Sequence, residues 1–299
     1  MQIPSILLLG RGQLGQSFLY NDQTSSDFSI RPAELGSYPT YCDRILCAQL
    51  AQYRPKVIIN TAAYTDVVRA ESEPEVALAV NRDGVRHLAT LAKRFDALLV
   101  HFSTDYVFDG SGNSPWCEKD LPNPLNFYGY SKWLGERAII ESGCRYLILR
   151  TSWLHSPFGN NFIKTILKKS DIYQTLNVVS DQIGAPTSAQ DLAILTLGAV
   201  QNSLLDNSLC GLYHITAGGA VSWFDYAKFI LTKACSIGVI NTMPKLFPVT
   251  SDNYPSLVMR PLNSQLDTNL FFQSFNTRIP DWRNGVEHTL LQLKGGGWD

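Results

Sequence analysis

The run Gly10-Arg11-Gly12-Gln13-Leu14-Gly15 constrains the fold of this chain most, because it stands between the apolar strand Ile6-Leu7-Leu8-Leu9 and a segment of helical spacing. Glycines at that spacing let the backbone turn sharply and approach a ligand closely. The helix that follows points its unpaired N–H groups at the same spot, where a pyrophosphate is favoured. An ordinary tight turn is the plain alternative, but strand before and helix after favour a dinucleotide. Gly10, Gly12, Gln13, Leu14 and Gly15 are therefore candidate cofactor residues.

The rest of the first half fits the same architecture. Short Leu-rich or β-branched runs alternate with helical patterns, as in a parallel sheet buried on both faces. Strands are expected at 28–31, 57–60, 98–102 and 146–149, and helices at 44–53, 75–95 and 128–141. Beyond Arg150 the alternation weakens and Pro, Asn and aromatic residues become frequent. The expected fold is α/β: a Rossmann-like doubly wound parallel sheet with a smaller C-terminal substrate-binding lobe. Residues 1–150 would form the NAD(P)-binding domain and 151–299 mainly the substrate lobe, with some segments returning to the first domain.

Composition narrows the partners. The 299 residues carry 25 basic and 26 acidic side chains without a long run of one sign, so a nucleic-acid footprint is not expected. The six cysteines are irregularly spaced, with no Cys-x-x-Cys, and read as reduced thiols of a cytoplasmic protein. No apolar run is long enough to span a bilayer and no leader pattern precedes the first strand, so no membrane partner is expected.

Dinucleotide folds commonly place an acid after the second strand for the ribose hydroxyls, or an arginine where a 2′-phosphate is held. Here that strand ends at Arg31, which favours NADPH and leaves NADH open; a solvated surface arginine is the alternative, and Arg11 is a second candidate. Asn60-Thr61-Ala62-Ala63-Tyr64 leaves its strand through small residues, so Ala62, Ala63 and Tyr64 can lie close to a flat ligand at the sheet's carboxyl edge.

Tyr128-Gly129-Tyr130-Ser131-Lys132 contains Tyr-x-x-x-Lys, and the four-residue offset puts both side chains on one helix face. With thirteen tyrosines, one such pair arises easily by accident. The chemistry it suits is nevertheless specific. Hydride delivered to a ketone leaves a developing alkoxide that needs a proton from a positioned acid. A nearby ammonium favours ionisation of a phenol, which makes Tyr128 the candidate acid and Lys132 its tuning charge. Tyr130, two residues from Lys132, points elsewhere on a helix. Ser103-Thr104-Asp105 puts the Thr104 hydroxyl at the carboxyl edge of the sheet, within reach of a substrate carbonyl, with a turn cap as the plain alternative.

The chain resembles the dTDP-4-dehydrorhamnose reductase family of extended short-chain dehydrogenase/reductases from its first strand almost to its C-terminus. The likeness rests on Gly12-Gln13-Leu14-Gly15, Asn60 to Thr65, Ala70-Glu71-Ser72-Glu73-Pro74, Ser103-Thr104-Asp105-Tyr106-Val107-Phe108, and Tyr128 with Lys132. It continues through Arg150-Thr151-Ser152-Trp153, Gly159-Asn160-Asn161-Phe162, the run from Asp181 to Thr187, and Arg260-Pro261-Leu262-Asn263-Ser264. The resemblance implies reduction of the C4 ketone of a dTDP-4-keto-6-deoxy-L-hexose, with Tyr128, Lys132 and Thr104 as the catalytic set. It also implies that Lys132 meets the nicotinamide ribose, that Tyr106 and Trp153 wall the sugar site, that Asn160 or Asn161 helps place the substrate, and that Arg260 meets the diphosphate. Core packing is the alternative for the two aromatics.

The sequence also departs from the family. Relatives carry a glycine where this chain has Leu9, with Gly10 one place later. Val67-Val68-Arg69 replaces a Val-Asp-Lys loop and removes a carboxylate. Gly36-Ser37-Tyr38-Pro39-Thr40-Tyr41 replaces an Asp-rich stretch. These keep open a sister reductase for another dTDP-keto-sugar, of the dihydrostreptose or 6-deoxytalose type. A non-catalytic regulatory homologue, of the methionine adenosyltransferase β-subunit type, is opposed by the intact catalytic set. A homodimer is an option, and a divalent metal is left open, with no residues assigned to one.

Overall fold

The computed structural model describes residues 3–22, 27–34, 43–277 and 280–296. The 36–41 stretch, Cys42 and Gly297 lie outside the described residues.

The first half alternates as its apolar runs require: β1 (Ser5–Leu9), α1 (Gln13–Asp22), β2 (Ser29–Pro32), α2 (Asp43–Tyr53), β3 (Val57–Asn60), α3 (Val67–Ser72), α4 (Pro74–Leu78), α5 (Val85–Arg94), β4 (Leu98–Thr104), α6 (Phe127–Ser142) and β5 (Tyr146–Thr151). The second half adds β6 (Leu154–His155), α7 (Phe162–Ile172), β7 (Thr175–Val179), β8 (Ile183–Gly184), β9 (Thr187–Ser188), α8 (Ala189–Leu205), β10 (Gly211–His214), β11 (Val221–Ser222), α9 (Trp223–Ser236), β12 (Lys245–Val249), α10 (Asn269–Phe275) and α11 (Trp282–Gly296).

Six strands pair in the order β10-β5-β4-β3-β1-β2, all parallel. Successive side chains on a strand point to opposite faces. Ile6, Leu8, Val57, Ile59, Val100 and Leu149 therefore pack on one side with Leu14 and Phe18 of α1 and Leu192 of α8. Leu7, Leu9, Ile58, Leu99 and Ile148 pack on the other with α2, α5 and Ile139 of α6. A third core joins α7, α9, α11 and β7 through Ile163, Leu167, Tyr226, Ile230, Trp282 and Leu290. Helix α8 and strand β10 come from beyond residue 151 yet belong to the layers of the large sheet.

Three local expectations are corrected. The long helix expected at 75–95 is broken by a π-helical turn, Ala79–Gly84, between α4 and α5. The stretch after Thr65, expected as a loop, is helix α3, started by Asp66, whose side chain accepts from Arg69 N. The second strand runs one residue later than expected and ends at Pro32, placing Arg31 opposite Leu7. Among the described residues no helix is long and apolar enough to cross a membrane.

Candidate active site

The strand order reverses between β1 and β3, and a ligand crevice in such sheets opens outside the carboxyl ends of the strands at that point. Gly10 leaves β1 at φ 97°, a conformation that side-chain-bearing residues avoid, and a Cβ there would strike Thr61. Gly15 lies so close to the Gly10 carbonyl that a Cβ would collide with it. The glycine one place later than in relatives thus makes the sharp turn. Thr61 holds the neighbouring strand end against it, donating from N and Oγ1 to the Leu9 carbonyl at 2.8 and 2.7 Å. The result is a narrow backbone cradle at the start of α1, a form that fits a pyrophosphate. Ser103 Oγ and Thr151 Oγ1, at the ends of β4 and β5, are buried without hydrogen-bond partners. Among the described residues no group of three or more His, Cys, Asp or Glu side chains is placed to hold a metal ion.

Other cofactor candidates are fixed as follows. Arg31 is exposed and lies over the Tyr53 ring at 4.9 Å. Ala62 N donates to Asn60 Oδ1 at 3.1 Å, which turns the Ala62-Ala63 exit. The Tyr64 hydroxyl donates to Glu73 Oε2 at 2.6 Å, and this bond raises the phenol to about 12. Gln13 Oε1 accepts from Asn161 Nδ2 at 2.9 Å and Ser156 Oγ at 3.2 Å, tying the glycine turn to the second half of the chain. Asn161 also caps α7 by accepting from Lys164 N, so its amide is committed to holding backbone and Gln13.

The chemical groups gather where β4 ends and α6 begins. Thr104 is the last residue of β4 and also caps the 3₁₀ turn Asp105–Val107, accepting from Tyr106 N at 3.2 Å. Asn126 starts α6 by accepting from Gly129 N, and its Nδ2 donates to the Met259 carbonyl beside Arg260. Gly129 lets the helix approach closely, since a Cβ there would strike the Tyr106 carbonyl. The Tyr106 and Tyr128 rings consequently meet edge to face at 5.8 Å. Burial pushes Tyr106 up to about 12, opposed by Arg260, which hydrogen-bonds it. Burial also drives the Tyr128 phenol above its ordinary range, opposed by a hydrogen bond with Thr104.

Tyr128, Thr104, Tyr106 and Arg260 are thereby brought together. At Tyr128 it is Thr104 that opposes the rise. Lys132 is buried and donates to the Phe102 carbonyl at 2.6 Å, with His101 Nε2 at 3.3 Å from its Nζ. Burial lowers Lys132 to about 8 against an opposing pull from Glu136. Trp153, two residues past Thr151, adopts φ 48°, unusual for a bulky residue. Its ring stacks on Trp223 at 3.5 Å and is packed against Gly184.

Several residues that hold this arrangement were not expected from the sequence. Asn81, in the π-helical turn, accepts from Tyr64 N and donates to Tyr64 O and Ser131 Oγ, while Ser131 donates to the Tyr128 carbonyl. One side chain thus joins the loop after β3 to α6; π turns recur at functional sites. Glu136, one turn beyond Lys132, pairs in bidentate fashion with Arg150 of β5 at 2.8 and 2.6 Å, both essentially buried. Arg150 also lies 5.1 Å over the Phe108 ring. Asp105 is buried, and burial lifts it to about 6 against hydrogen bonds from Ser264 and Thr104. For two of these the available signal was a polar residue directly after an apolar run: Asn81 after Ala77 to Val80, and Arg150 after Leu147 to Leu149.

A family model described as the RmlD substrate binding domain matches residues 4–294. The chain is 43% identical over 240 residues to the dTDP-4-dehydrorhamnose reductase of Salmonella typhimurium, covering 80% of each chain. It is 36% identical over 279 residues to the dTDP-4-dehydrorhamnose reductase of Sinorhizobium fredii, covering 93% of this chain and 94% of the relative. Among solved structures, the dTDP-4-dehydrorhamnose reductase of Bacillus anthracis in complex with NADP aligns with a TM-score of 0.86 at 32% identity, covering 97% of this chain and 100% of that one.

Proposed function

The chain belongs to the RmlD substrate binding domain family, and from that premise we propose that it is an NAD(P)H-dependent reductase of the C4 ketone of a dTDP-4-keto-6-deoxy-L-hexose, converting dTDP-4-dehydrorhamnose to dTDP-L-rhamnose. The observation that carries this reading is the convergence of Tyr128 and Thr104 at the carboxyl edge of the sheet, on the same edge as the glycine cradle.

The bound nicotinamide cofactor supplies a hydride, which Gly10, Gly12, Gln13, Leu14, Gly15, Ala62, Ala63 and the Tyr64 backbone would place, with Arg31 toward a 2′-phosphate. Tyr128 protonates the C4 oxygen as the carbon is reduced. Its raised pKa keeps the phenol protonated at neutral pH until that oxygen becomes basic. Thr104 holds the same oxygen and the phenol together. Lys132, four residues on from Tyr128 along the same helix, would meet the nicotinamide ribose. Arg260, which hydrogen-bonds Tyr106, would meet the diphosphate, and Trp153 would wall the sugar; Asn161 would support the site through Gln13.

Residues 1–150 then serve as the cofactor domain and 151–299 mainly as the substrate lobe, with α8 and β10 returned to the sheet. We further propose that the enzyme acts in the cytoplasm and as a homodimer, and light scattering of the purified protein tests the dimer. Following cofactor absorbance with dTDP-4-keto-L-rhamnose and identifying the sugar formed tests the reaction. Absence of cofactor oxidation refutes it. Turnover of only another dTDP-keto-sugar in a panel would favour the sister reductase that Val68, in the altered 67–69 segment, keeps open.

A further inference from the structure

Asn60 and His101 face each other as register partners on β3 and β4, and both are 1% exposed. The Asn60 amide has one orientation available. Ala62 N–H can only donate and lies 3.1 Å from Asn60 Oδ1, so Nδ2 is the atom that faces His101 Nδ1 at 3.1 Å. Nδ2 donates, so Nδ1 must accept, and the single proton of a neutral imidazole then sits on Nε2. Deep burial keeps His101 from taking a second proton.

That Nε2–H points at Lys132 Nζ, 3.3 Å away, with the lysine 2% exposed. An ammonium there sets N–H against N–H. A neutral amine instead accepts from His101 and still donates to the Phe102 carbonyl at 2.6 Å. We propose that Asn60 and His101 are positioning residues which fix one imidazole tautomer and through it loosen the hold of Lys132 on its proton.

The surroundings agree in sign. Around Lys132 stand His101 on β4, Tyr128 one turn back on α6 and Glu136 one turn on, with Arg150 on β5 paired to Glu136. Glu136 alone pulls toward the charged form, and Arg150 takes both of its oxygens. Burial pushes the other way and prevails.

The inference rests on the placing of Lys132 in the reductase site, but its test reads protonation without cofactor or substrate, so its failure leaves the proposed reaction standing. The protein is labelled with nitrogen-15 histidine, the His101 signals being identified by their loss in His101→Gln, and spectra are recorded from mildly acid to mildly alkaline pH. The expected result is the Nε2–H tautomer throughout, unchanged in Lys132→Met and reversed in Asn60→Asp, whose carboxylate accepts from Nδ1–H. The lysine, labelled at its amine, should titrate about one pH unit or more higher in Asn60→Asp. A wild-type Nδ1–H tautomer overturns the proposal. So does a tautomer that switches in Lys132→Met, because the lysine rather than Asn60 would then be setting it.

Discussion

Asp105→Asn isolates the one carboxylate that the fold buries between the two site residues Thr104 and Tyr106. Burial lifts Asp105 from the ordinary aspartate range to about 6, with Ser264 and Thr104 providing only partial relief. At about 1.4 kcal/mol for each tenfold, that rise comes to about 3 kcal/mol of lost stability once the group is ionised. The sign follows from which state holds the proton. Between about pH 4 and pH 6 the folded protein keeps a proton that the unfolded chain has released, so this residue's contribution falls as pH rises and the full cost is carried above about pH 6. Asparagine keeps the shape and cannot ionise. Urea unfolding of both proteins across that range should therefore show the variant gaining on the wild type with rising pH, by up to about 3 kcal/mol near neutrality. Carboxylates elsewhere titrate alike in both proteins and cancel in the difference. A difference that stays flat with pH, or that shrinks as pH rises, refutes the reasoning. The variant also removes a negative charge that raises Tyr128, so the phenol should ionise at lower pH by direct ultraviolet titration.

Tyr128→Phe should lower turnover by about 100-fold or more with little change in cofactor affinity, as for loss of a general acid, and near-normal turnover would count against its role. Arg31→Ala should weaken NADPH more than NADH in fluorescence titrations; equal losses would remove Arg31 from 2′-phosphate recognition. Gly15→Ala drives a methyl group into the Gly10 carbonyl, so dinucleotide binding should fall sharply in calorimetry, and unaltered affinity would argue against the cradle. Glu136→Gln leaves Arg150 charged, buried and without its bidentate partner, and should cost about 3–5 kcal/mol in urea unfolding; a loss under 1 kcal/mol would mean that the site relaxes around it.

The sheet was legible because its information is local. Ile6 to Leu9, Val57 to Asn60 and Leu98 to Phe102 are apolar runs short enough for strands and bounded by turn residues, and each is a buried parallel strand. Tyr128 and Lys132 were legible because an offset of four residues has one geometric meaning on a helix. The direction of the Lys132 side chain was not. It depends on His101 and the Phe102 carbonyl, whose positions follow from the pairing of β4 with its neighbours and from how α6 packs on them. The π-helical turn was hidden for a similar reason: apolar spacing over 75–95 suits any continuous helix, and it is the contacts of Asn81 with Tyr64 and Ser131 that distinguish the observed turn.

Helix α6 shows how such a site announces itself even so. A helix that served only to cover a sheet would bury its apolar side and expose its charges. This one buries Ser131, Lys132 and Glu136 while leaving Tyr130 and Ile140 largely exposed. Burying a lysine and a glutamate is costly unless each finds partners, and here each does so outside the helix: Lys132 at the Phe102 carbonyl and His101, Glu136 at Arg150. Arg150 and His101 are in turn the polar members of apolar strands, inexplicable as sheet formers and required as partners. Polar residues that break the pattern of two adjacent elements at facing positions therefore explain one another. That mutual requirement coincides with the sheet edge where the candidate site lies, whereas a merely structural core could have used apolar side chains in the same places.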